Sequence, residues 1–92
     1  MSTLNRDEAE NAIQRVLLDR WDPLQIRAEP GPHTEYTSYA HEVFGLLLRG
    51  GSDVQVERYL RHVEIDVLHR TELAGHDLKP VIQSLRDIES QM

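Results

Sequence analysis

The segment Trp21–Phe44, WDPLQIRAEPGPHTEYTSYAHEVF, decides how the rest of the chain is read. It carries three of the four prolines and four of the five aromatic residues. Pro23, Pro30 and Pro32 fix three φ angles and remove three N–H donors, so residues 22–35 suit neither a helix interior nor a paired strand. Leu24 and Ile26, apolar at a spacing of two, predict a short extended piece laid onto a core. Pro30-Gly31-Pro32 reads as a turn. A connection of this length in a small domain is usually functional or disordered; the prolines and inward-facing aliphatics favour an ordered loop.

Helical periodicity lies on both sides of that loop. Residues 5–20 read as a first helix, with Asn5 and Glu8 as a capping-box pair and Ala9, Ala12, Ile13, Val16 and Leu17 as the buried stripe. Asp22-Pro23 ends it, because the residue before a proline avoids the right-handed helical region. Residues 37–49 read as a second helix, capped by Thr34, Thr37 or Ser38, with Tyr36, Ala40, Val43, Phe44 and Leu47 facing inward. Gly45 in its interior hints at close packing against a neighbour, and Gly50 suits a left-handed cap. Ser52 and Gln55 make the capping box of a third helix, 53–69, whose buried face is Val56, Tyr59, Leu60, Val63 and Val67. A last helix, 78–90, is capped by Asp77, has Pro80 in its first turn, and shows the cleanest stripe: Leu78, Val81, Ile82, Leu85 and Ile88. No strand alternation competes. The expectation is one all-α domain over residues 1–92, a small four-helix bundle with a long ordered proline-rich loop between its first two helices.

Composition limits the function. There is no cysteine, hence no disulfide, thiolate metal site or cysteine nucleophile. No apolar run approaches the roughly 18 residues of a membrane span, and the charged start MSTLNRDEAENAIQ lacks a secretory core, so a cytoplasmic protein is expected. Net charge is −6, distributed as −1, −2, −2 and −1 over residues 1–21, 22–49, 50–76 and 77–92. A surface acidic throughout repels phosphate backbones, which argues against nucleic acid and for a basic protein partner.

Few residues converge on chemistry. His62, His69 and His76 recur every seven residues, but His62 and His69 would stand about 10.5 Å apart along a helix axis. His62 with Asp66 stands one helical turn apart and, with the loop carboxylates, is the basis of a metal-dependent enzyme as the remotest alternative. Ser38 near His41 lacks an oxyanion hole and a strained elbow, so Ser38 reads as a capping residue. The carboxylate pairs Glu64 with Asp66 and Asp87 with Glu89 fall on different helix faces and read as solvating charges. No catalytic, cofactor or metal site is therefore expected. What remains is aromatic. Trp21, Tyr36 and Tyr39 stand beside the carboxylates of Asp22, Glu29 and Glu35; either the rings pin the loop, or rings and acids form a partner-binding surface, or both. Leu18, Leu48, Val54 and Ile65 lie off the main stripes and mark a second apolar face that a partner helix or a second copy would cover.

The stretches WDPLQI and EPGPHTEYTSYAHEVF resemble the YugE-like family of short bacterial proteins of unknown function, which carry a WDP motif, a loop of about ten residues and an acid-Tyr-x-x-Tyr segment opening the next helix. The matching residues are Trp21, Asp22, Pro23, Glu35, Tyr36, Ser38 and Tyr39, and the likeness runs through LLLRGGSDVQVERYLRHVE, over residues 12–66. Ala40-His41 stand where the pattern has a proline after the second tyrosine. The resemblance implies a helical fold and no particular activity. With the dispersed acid it leads to the expectation of a non-catalytic protein-binding module, an immunity- or antitoxin-like protein with a basic partner; a homodimer with a structural or regulatory role is the alternative.

Overall fold

The computed structural model describes residues 4–30, 34–73 and 75–92. The helical expectation holds. Four α-helices follow in order, α1 Arg6–Val16, α2 Thr37–Leu48, α3 Asp53–His62 and α4 Lys79–Glu89, with no strand among the described residues. Helix α1 packs against both α2 and α4, and α3 closes against α2 and α4. None of the described helices is long and apolar enough to cross a membrane. Gly31, Pro32 and His33, and with them most of the expected Pro30-Gly31-Pro32 turn, lie outside the described residues.

Both capping boxes form as read. The Glu8 amide donates to Asn5 Oδ1 at 2.9 Å and the Asn5 amide to Glu8 Oε1 at 3.2 Å. Ser52 and Gln55 make the same exchange at 3.2 and 2.8 Å. The start of α2 differs. Its cap is Tyr36, without a side-chain bond; Thr34 contributes its carbonyl, to the Thr37 amide at 3.2 Å, and neither Thr37 nor Ser38 caps. The departure at Ala40-His41 leaves that start at Thr37. Asp77 caps α4 from one position further out, accepting the Lys79 amide at 2.9 Å, while Leu78 is the cap residue.

Helix α2 ends in a double reverse bond, the Gly51 amide to Leu46 O at 2.8 Å and the Gly50 amide to Leu47 O at 3.1 Å, with Gly50 left-handed at φ 77°. Arg86 of α4 fastens this turn through Gly51 O at 2.5 Å and Asp53 at 2.6 Å. Gly45 does not meet the expectation of close packing. A Cβ there would touch only the tip of Arg49, at 3.4 Å. Gly45→Ala is therefore expected to stabilise the fold by about 1 kcal/mol, the difference in helix propensity, read as a rise in the urea midpoint.

The apolar stripes of α1, α2 and α4 are buried where the spacing put them, Ala12 and Val16 only partly. The third helix is the exception, and the reason is local. Both α1 and α3 run on into a π-helical turn, Leu17–Trp21 and Val63–Val67, in which the Asp22 amide reaches Leu17 O and the Leu68 amide reaches Val63 O, each at 2.8 Å. The expected helices 5–20 and 53–69 are thus each an α-helix followed by a wider turn. Widening makes successive side chains lag around the axis. Val67, expected inside, is left 46 % exposed, and Glu64 is carried into the core.

Candidate functional site

The proline-rich loop is held by one carboxylate. Asp22 sits in the left-handed region at φ 41°, directly after the π-turn, which aims its side chain back over the loop. Its Oδ1 accepts the Ile26 amide at 2.9 Å and the Tyr36 hydroxyl at 2.8 Å, and its Oδ2 accepts the Arg27 amide at 3.0 Å. The Tyr36 oxygen in turn accepts the Leu24 amide at 3.0 Å. Prolines cannot stabilise a loop through their own amides, so a side chain supplies the bonds instead. Burial, followed by the nearby Asp22 charge, pushes the Tyr36 phenol well above its ordinary range, which keeps it a donor. Ile26 is buried and Leu24 partly so, but not as the expected extended piece: the Gln25 amide bonds back to Asp22 O at 3.0 Å and Gln25 sits at φ 55°, so the segment is a turn.

Below this clamp lies a charged group absent from the sequence reading. Glu64, expected to be a solvating charge, has no exposed surface. Trp21 Nε1–H donates to its Oε2 at 2.7 Å, His76 Nε2 lies 2.6 Å from the same oxygen, and Arg61 Nη1 donates to Oε1 at 3.2 Å. Oε2 thus meets both the indole and the imidazole, and Oε1 the guanidinium. Arg61 also donates to the carbonyls of Leu73 and His76, and Arg70 Nε to Pro23 O at 3.0 Å. The network joins the two π-turns to the segment that leads into α4. No buried side-chain nitrogen or oxygen among the described residues lacks a partner. A buried charge so satisfied specifies geometry.

These contacts revise the expected recognition surface. Trp21 is 7 % and Tyr36 1 % exposed, so both rings are turned into the fold; they meet at 5.8 Å, tilted by 43°, and hold the loop down. Asp22 spends both oxygens internally. Glu29 and Glu35 stay exposed, outside the clamp. Tyr39 alone faces both ways. Its ring meets Trp21 edge-on at 6.3 Å and Tyr36 at 6.2 Å, and its outer side lines a groove.

That groove, of about 840 Å³, runs between α1 and α2 with Tyr59 of α3 at its side. Asp7, Glu10 and Glu42 line it with Tyr39, Tyr59 and His41, and no lysine or arginine does among the described residues. Glu10 crosses the groove to His41 Nδ1 at 2.6 Å. Neither Asp7 nor Glu42 enters an ion pair among the described residues. Burial pushes the Tyr59 phenol up to about 12, helped by Glu42 and then Tyr39. The sequence held a signal for this surface: Asp7, Glu10, Asn11 and Gln14 are themselves a polar i, i+3, i+4, i+7 stripe.

His62 Nδ1 and Asp66 stand 3.0 Å apart on the surface, and no group of three or more histidine or carboxylate ligands gathers among the described residues. Leu48 and Val54 are 66 % and 60 % exposed on either side of the glycine turn, whereas Leu18 and Ile65 are half-buried. Compared with models of protein families, with curated proteins and with solved structures, the chain gives no match.

Proposed function

We propose that this protein is a non-catalytic binding module, of the immunity- or antitoxin-like kind, that takes a basic partner protein. The observation that carries the reading is the α1–α2 groove, whose described lining holds three carboxylates and no cationic lysine or arginine. A concave wall of one sign concentrates field toward a partner of the other and speeds its arrival. The net charge of −6 extends the same attraction over the whole surface. Glu64 and Asp22, by contrast, are engaged in holding the fold.

The test is retention from a native lysate at about 50 mM salt, where screening is weak. The immobilised protein is expected to hold basic proteins that elute as salt rises, and the double variant Asp7→Asn, Glu42→Gln is expected to hold several-fold less. Equal retention by the variant, or retention indifferent to salt, would remove the groove from the reading.

A further inference from the structure

We propose that the groove seats an arginine side chain of the partner, its guanidinium lying on the phenol rings of Tyr39 and Tyr59 and its charge on Asp7 and Glu42. This rests on the basic-partner reading above and adds which cation the groove is shaped for. Two properties of the wall select it. The rings are fixed, Tyr39 by its contacts with Trp21 and Tyr36 and Tyr59 by its half-buried place on α3. Neither phenol hydroxyl has a hydrogen-bond partner among the described residues, and both residues line the groove. The carboxylates beside them, Asp7 and Glu42, are, among the described residues, the two acids of the lining outside any ion pair.

A guanidinium is planar and weakly hydrated, so it stacks on a ring while its N–H fork reaches a carboxylate; an ammonium is a strongly hydrated point charge that does only the second. The molecule already uses this arrangement next to the groove, on the far side of Glu10. Arg6 lies over the Phe44 ring at 5.7 Å while its Nε stands 3.9 Å from Glu10. What α1 does there with its own arginine, the groove offers to an arginine from outside.

The probes are two acetylated, amidated peptides, Gly-Arg-Gly-Arg-Gly and Gly-Lys-Gly-Lys-Gly, titrated at low salt and followed by amide chemical shifts and by Trp21 emission, since Tyr39 abuts that ring. The arginine peptide is expected to bind about threefold more tightly, the worth of one exposed cation–π contact, with shifts centred on residues 7–14 and 38–42. Tyr59→Leu, checked for an intact unfolding transition, is expected to abolish the preference and leave lysine-peptide affinity unchanged. Glu42→Gln is expected to weaken both peptides. Equal affinity for the two peptides in the groove, or a preference that survives Tyr59→Leu, overturns the arginine seat and leaves the basic-partner reading standing. Absence of groove shifts with either peptide overturns both.

Discussion

Glu64→Ala is expected to lower the unfolding free energy by about 3–5 kcal/mol, the cost of breaking a buried ion pair from one side. The substitution strands three partners at once: the Trp21 indole N–H, the Arg61 guanidinium and the His76 ring. Arg61 keeps its bonds to the Leu73 and His76 carbonyls, but the only carboxylate left to it among the described residues is the half-exposed Glu57, at 4.0 Å. Small domains have about 5–15 kcal/mol of stability in all, so the variant should be close to losing its fold. Urea unfolding followed by Trp21 emission measures the loss. Glu64→Gln separates charge from shape, because the amide oxygen can still accept from Trp21; its cost should fall to about 1–3 kcal/mol. A loss below about 1 kcal/mol for the alanine variant would mean that water replaces the carboxylate and that the network is not a structural tie.

Trp21→Ala is expected to cost about 3–5 kcal/mol as well, for a different reason. The indole is 7 % exposed, packs on Tyr36 and Tyr39, and is the α1-side half of the bond to Glu64. Removing it opens a void under the loop and takes one donor from a buried carboxylate. Trp21→Phe fills most of the void and removes only the N–H, so the difference between the two variants isolates packing from hydrogen bonding. Far-UV circular dichroism is the readout, the fluorophore being gone. If the alanine variant melts within a degree or two of the parent, the ring is not what fixes the loop.

Most of the architecture could be read from the sequence, because it is written in local signals. Asn5 with Glu8, Ser52 with Gln55, and the left-handed Gly50 are each specified within a few residues, and the α4 stripe has one period from end to end. What the sequence did not disclose depends on non-local partners. Glu64 looks like a surface acid until it is known that the helix widens at Val63 and that Trp21, 43 residues away, lies opposite. The candidate site failed in the same way. Trp21, Asp22 and Tyr36 meet one another, and residues that satisfy each other internally have little left for a partner. The groove was written in two separate pieces, a polar stripe on α1 and Ser38, His41 and Glu42 on α2, and only the packing of α1 against α2 joins them.

The two π-turns bear on how this sequence can change. A π-turn has the backbone of an α-helix with one residue inserted, so each segment is counted as well as spelled. Excising a single residue from Leu17–Trp21 would return α1 to regular winding and swing everything beyond it by about 100°, taking Trp21 off its carboxylate and Asp22 off Tyr36 together. Related chains should therefore keep the length of those two segments as strictly as they keep Trp21 and Glu64 within them.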